Sequence, residues 1–242
     1  MSTRRAKQLI YGALYLIVLL LLIGIFYLIF IRPFISGPMT PVCTPSTCAP
    51  TSSVEFTTST VDIFVTSSGH YTFLTNVLDN NANYGAQAFN YQIDLYDASG
   101  TLIESVPGQS FIYPSQSKYL VALNVSVPQA VDHAAMEILG IAWTPSSTLG
   151  AIPQFVLQNT QATVGSTTDA VSGQLTNSNL GSYEKVVIMA IFNNGNANIP
   201  TGVSQTEIDN LQAQSTTNFS VIYPALPNIN PASNQIIVYA LR

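Results

Sequence analysis

The side chains able to do chemistry are few and far apart in this 242-residue chain. Its two histidines are His70, behind Ser67-Ser68-Gly69, and His133, inside the stretch Pro128 to Ala135. Either imidazole could act as a general base, but both sit among loop residues and are too isolated from each other to argue into a site. Serine is plentiful, yet no Gly-x-Ser-x-Gly elbow presents one as a nucleophile. The only cysteines, Cys43 and Cys48, stand in the order Cys-Thr-Pro-Ser-Thr-Cys. That spacing is not Cys-x-x-Cys, and no His or further Cys completes a zinc set. In an oxidising compartment a local disulfide between Cys43 and Cys48 is the expectation, provided the turn brings their Cα atoms within about 7 Å.

Calcium would use oxygen ligands from loops, and Asp79 to Asn83 and Asp97 are the nearest candidates. Asp-x-Asp-x-Asp spacing is absent, and Asn and Asp are the ordinary residues of strand-connecting turns. Asn124-Val125-Ser126 and Asn218-Phe219-Ser220 match the N-glycosylation pattern but fall within predicted strands. Trp143 closes an alternating strand and reads as core. These residues assemble no catalytic set, no metal site and no cofactor site, so the chain reads as a non-enzymatic protein.

The elements that carry them begin with about 23 uncharged residues, Leu9 to Ile31, behind Arg4, Arg5 and Lys7. At about 1.5 Å per residue this run reaches the roughly 30 Å of a hydrocarbon core. It is too long for the apolar centre of a cleaved signal peptide, and Phe34-Ile35-Ser36-Gly37 is a poor cleavage site. The basic residues before it predict a cytoplasmic tail at 1–8, a transmembrane helix at 9–31 and an extracytoplasmic remainder. Residues 33–242 hold three basic residues, Lys118, Lys185 and Arg242, against all 12 acidic ones. Nucleic acid is excluded as a partner, because neutralising phosphates takes clustered Lys and Arg. The expected partners are the lipid bilayer and an envelope or membrane protein.

Residues 32–53 include Pro33, Pro38, Pro41, Pro45 and Pro50, too many for a helix or a central strand, and read as a spacer holding Cys43 and Cys48. From Val54 the apolar pattern alternates, as in half-buried strands. Phe89, Tyr91, Ile93 and Leu95 are expected to face a core, and so are Tyr71, Phe73, Thr75 and Val77. Asp97-Ala98-Ser99-Gly100 supplies a hairpin turn, with Gly100 free to take positive φ. Ser117 to Val127 and Met136 to Trp143 are further strands. Ile236 to Leu241 is either buried on both sides or an edge open to a partner strand.

The same order returns about 96 to 100 residues later. Thr75-Asn76 matches Thr176-Asn177, and Leu95-Tyr96-Asp97 with Gly100 matches Ile191-Phe192-Asn193 with Gly195. Tyr119 to Val121 matches Phe219 to Val221, and Ile138 to Trp143 matches Ile236 to Leu241. Units of about 90 residues with six or seven short strands have the size and pattern of an immunoglobulin-like sandwich. The predicted fold is therefore all-β: two tandem immunoglobulin-like β-sandwich domains, 54–145 and 154–242, after a single N-terminal transmembrane helix.

Ile93-Asp94-Leu95-Tyr96-Asp97, preceded by Thr75-Asn76 and followed by Gly100, resembles the FxLYD domain of bacterial and archaeal surface proteins, with Ile93 in place of the eponymous Phe. The resemblance covers roughly residues 61–144 and reaches 160–242 only through the internal repeat. It implies a β-sandwich in a membrane-anchored or secreted protein, with no catalytic residues to carry over. Two functions follow as expectations. The first is a single-pass protein that displays two sandwiches for structural or adhesive contacts in the cell envelope. The alternative is an accessory subunit of a larger membrane complex, docked through its transmembrane helix with Gly12, Ala13 and Gly24 as packing positions.

Overall fold

The computed structural model of the chain describes residues 56–194, 199–227 and 229–241. The predicted tail at 1–8, span at 9–31 and spacer at 32–53, with Cys43 and Cys48, lie outside them. Among the described residues no helix is long and apolar enough to cross a membrane.

The first seven strands are β1 (Thr57–Thr58), β2 (Asp62–Ser67), β3 (His70–Leu78), β4 (Tyr84–Tyr96), β5 (Leu102–Ile112), β6 (Ser117–Ser126) and β7 (His133–Pro145). A short helix, α1 (Ser146–Leu149), lies in the connection between the two expected domains, 54–145 and 154–242. Six strands follow: β8 (Phe155–Thr163), β9 (Thr168–Asn177), β10 (Tyr183–Asn193), β11 (Pro200–Leu211), β12 (Thr216–Pro224) and β13 (Gln235–Ala240). All pairings are antiparallel and form four sheets. In sheet A, β3 pairs with β6 on one edge and with β2 and β1 on the other. Sheet B runs β5-β4-β7, sheet C β12-β9-β8 and sheet D β11-β10-β13.

Alternation places the expected inner residues as predicted. Phe89, Tyr91, Ile93 and Leu95 of β4 meet Tyr71, Phe73 and Val77 of β3 in one core between sheets B and A. The turn after β4 also forms as expected: Asp97 Oδ1 accepts the backbone N–H groups of Ser99 and Thr101, and Gly100 takes φ +80°. A second core between sheets C and D holds Val171, Leu175, Val186, Ile188, Ala190, Phe192, Phe219 and Val221.

A third apolar cluster lies between sheets A and D. Phe64 and Leu74 of sheet A meet Met189, Ile191, Val203 and Tyr239 of sheet D there, with Phe111, Tyr119, Val121 and Ile237 against them. The layers thus stack B, A, D, C, and the two central sheets are covered on both faces. This explains why Val186 to Phe192 and Ile236 to Leu241 are nearly unbroken apolar runs: a strand buried on both faces loses the polar alternate. β13 accordingly has both faces packed, while it hydrogen-bonds along one edge only, to β10. The described residues all fall within one compact unit.

The repeat is present in the strand order, since β2-β3-β6 corresponds to β8-β9-β12 and β5-β4-β7 to β11-β10-β13. The residue-by-residue matches expected from sequence are corrected. Asp79 N–H and Asn177 N–H donate to equivalent carbonyls, Gln116 and Ser215, so Asn177 matches Asp79 and not Asn76. Tyr96 and Asn193 accept equivalent bonds from Asp132 and Asn230, which pairs Leu95 with Phe192 rather than Ile191. By strand register Leu120 matches Phe219, and Met136 matches Ile236. A slip of one residue exchanges the two faces of a strand, so inner-core Leu95 had been set against seam-facing Ile191. In the corrected register, outward-facing Gln92 and Asp94 of sheet B become Met189 and Ile191 of sheet D, while seam residue Leu74 becomes outward-facing Ser172.

Phe192→Ala, in the inner core, is expected to cost about 3–5 kcal/mol and Met189→Ala, in the seam, about 2–5 kcal/mol in chemical denaturation. A seam cost near zero would contradict the four-layer packing.

Candidate functional site

The seam between sheets A and D carries the least ordinary chemistry among the described residues. Lys118, the second residue of β6, has only 5% of its surface exposed. Its Nζ lies 3.1 Å from the centre of the Phe111 ring and 4.9 Å from that of Tyr239. The ion pairs found among the described residues are His133 with Asp132 and Lys185 with Glu207, so Lys118 has rings and no carboxylate as its counterpart. Burial pulls its pKa down to about 7. The negative face of the Phe111 ring opposes that shift by favouring the ammonium form.

Hydrogen bonds also cross the seam. The Tyr119 N–H donates to the Tyr239 hydroxyl at 2.8 Å, and the Tyr113 hydroxyl donates to the Ala240 carbonyl at 3.3 Å. Burial pushes the Tyr239 phenol up to about 12, so the hydroxyl stays neutral and keeps its place as acceptor. Two hollows open along this line. One of about 240 Å³ is bordered by Lys118, Gln205, Glu207 and Tyr239, and a wider one of about 730 Å³ by Phe111, Glu184, Lys185, Val187 and Leu241. Neither contains a histidine or cysteine among its lining residues.

Among the described residues, the structure does not bring the sequence candidates together into a reacting set. His70 opens β3 after the turn at Gly69, which takes φ +73°. His133 opens β7, is exposed, and stacks on Tyr96 at 4.9 Å between ring centres. Asp97 spends Oδ1 on Ser99 and Thr101, and the Ser99 hydroxyl bond in particular holds its carboxyl below the usual range. Asn81, within the Asp79 to Asn83 stretch, accepts the N–H groups of Asn83 and Tyr84 on its own side-chain oxygen. Asn124 and Asn218 are exposed on β6 and β12, and Asn124 takes φ +52° where β6 bulges against β3. Trp143 is half-buried and packs on Phe56, which packs on Phe89, at the rim of a hollow of about 580 Å³ beside β7. No group of three or more metal-ligating side chains occurs among the described residues.

Sequence reasoning missed Lys118, Phe111 and Tyr239. The available signal was the pair of unbroken apolar runs in β10 and β13, which required a second covering layer. A lone lysine at the start of a strand gives no such sign, because its burial depends on Phe111 and Tyr239, which are distant in sequence from each other.

No family model matches the chain, and no curated protein matches it. Among solved structures, a transglutaminase from red sea bream aligns with 8% identity and a TM-score of 0.23, over 80% of this chain and 32% of that one. The chain thus spans about a third of the length of that protein.

The state of Lys118 gives a pH dependence. Its folded pKa lies below the ordinary lysine value, so folding releases a proton between about pH 7 and pH 10. Stability therefore rises with pH across that window, and the penalty is fully present below it. Lys118→Met is expected to raise stability at pH 7 by as much as a few kcal/mol and to flatten the rise. An unchanged slope in denaturation from pH 7 to pH 10 would place the linkage elsewhere.

Proposed function

We propose that the protein is a single-pass membrane protein whose extracytoplasmic part displays two immunoglobulin-like sandwiches, sheets A with B and sheets C with D, for structural or adhesive contacts with an envelope protein. The observation that carries this reading is the four-layer body. It joins the two sandwiches through an apolar seam within one compact unit. Supporting it from the sequence are the apolar run at 9–31, the basic residues before it and the Pro-rich stretch at 32–53. An acidic exterior poor in Lys and Arg suits contact with proteins better than with nucleic acid.

The placement of Ile93 and Leu95 in the inner core, with Asp97 closing the turn, supports kinship with the FxLYD domain. In such a motif the apolar residues anchor a strand and the acid fixes its hairpin. The role is non-enzymatic in this reading, with chemistry confined to folding. Turnover of any substrate by the purified protein would end it.

Topology is the first test. Protease added outside sealed, right-side-out membranes is expected to cut within residues 32–53 and to release a folded fragment reactive to antibodies against 54–242. Protection of that fragment would overturn the orientation. Exchanging residues 9–31 for an unrelated membrane helix should leave partner capture by crosslinking intact. Loss of capture after the exchange would favour docking through the helix.

A further inference from the structure

We propose that Asp79 is held as a neutral carboxylic acid in the folded protein under mildly acidic conditions, and that its proton ties the β3–β4 turn to the β5–β6 turn. The internal repeat supplies the argument. Asp79 and Asn177 occupy the same place: each directs one side-chain oxygen to the N–H two residues on, Asn81 at 2.8 Å and Asn179 at 3.0 Å. Each also donates its own N–H across to the following strand connection.

The other side-chain atom differs. Asn177 Nδ2 donates to the carbonyls of Gly181 and Gln212, both at 2.9 Å, and so clasps the β9–β10 turn to the β11–β12 turn. Asp79 places Oδ2 where that amide nitrogen stands. The oxygen is buried with no hydrogen-bond partner, and the residue has no exposed surface. In register, the Gln212 carbonyl corresponds to that of Tyr113, an acceptor that receives the Gln116 N–H, and a carbonyl oxygen can accept more than one hydrogen bond. A carboxylate there turns one acceptor toward another. A proton on Oδ2 makes it a donor, and the clasp of the second half is restored in the first.

Electrostatics agrees with this geometry. Burial raises the Asp79 pKa to about 6, against a smaller opposing effect of the Asn81 N–H. The elements around it are β1, the 113–116 connection, the start of β4 and α1. Their titratable side chains are the phenols of Tyr84 and Tyr113. The nearest charged group along β6, Lys118, is turned to Phe111 and Tyr239. Among the described residues no basic side chain pairs with Asp79.

The sign follows from linkage. A carboxyl with a raised folded pKa binds its proton more tightly when folded, so its stabilisation is full below about pH 4 and is lost as pH rises through about 6. The test is chemical denaturation of the full chain in detergent from pH 4 to pH 8, comparing wild type, Asp79→Asn and Asn177→Asp. The wild-type folding constant, taken relative to Asp79→Asn, is expected to fall on the order of 100-fold across that range. Asn177→Asp should import a second loss of the same sign.

Parallel pH profiles for wild type and Asp79→Asn would overturn the proposal. It would also be overturned if calcium chloride at pH 7 raised the midpoint of wild type and not of Asp79→Asn, since Asp79 would then be a cation ligand. If Asp79→Asn does not fold, carbon-13 titration of the aspartate carboxyls in the wild type decides. One midpoint near 6 supports the proposal, and all midpoints below about 5 contradict it.

Discussion

Everything unusual in this molecule depends on sheets A and D being buried on both faces. An ordinary two-sheet arrangement hides one face of each sheet and wets the other, which yields the alternating pattern seen in β4. Here the outer faces of one sheet from each half meet instead, around Leu74, Met189, Ile191 and Tyr239. The cost is a stretch such as Val186 to Phe192, which an exposed strand could not carry without risk of association. The gain is a body without an open hinge between its halves. It also encloses Lys118, whose amine would be an unremarkable solvated charge if the seam were open.

The two halves are copies of one strand plan used from opposite sides. The first half offers sheet A to the seam and the second offers sheet D, which corresponds to sheet B and not to sheet A. The contact is therefore head-to-tail, as in repeat proteins where terminal faces must stay polar. The sequence follows this requirement. Gln92 and Asp94 cover the outside of sheet B, where the equivalent positions of sheet D are Met189 and Ile191. Ser172 likewise lies outside on sheet C, where sheet A has Leu74. The same divergence separates Asp79 from Asn177 and Lys118 from Thr217. A shared frame has been fitted with different polar chemistry according to what each copy faces.

The inner core of the first half was legible because alternation is a local signal: Tyr71 to Val77 and Phe89 to Leu95 need only their own strands to be read. The turn at Asp97 to Gly100 was legible for the same reason. The existence of a repeat was also readable, but its register was not. Similarity between the copies lies in which face a residue points to. Single-residue bulges, such as those between Phe192 and Asn193 or Asn90 and Tyr91, shift any linear match. The seam could be anticipated only as a need for more cover over β10 and β13. Which face would provide it depends on the docking of distant segments, and so does the burial of Lys118. The histidines and the oxygen-rich loops drew attention through residue type alone. His133 lies on the Tyr96 ring, and Asn81 and Asp97 hold turn N–H groups, which gives these three structural work.

The most direct measurement is residue-resolved hydrogen exchange through a denaturant series on the full chain, comparing wild type with Ile191→Asp. A buried charge in the seam costs several kcal/mol because it has no partner there. The account predicts that in wild type the slowest amides of β4 and β10 open together in one cooperative step. In Ile191→Asp both sets should lose protection, with their openings separating. Independent opening of β4 and β10 in wild type, or loss of protection confined to β10 in the variant, would contradict a shared seam.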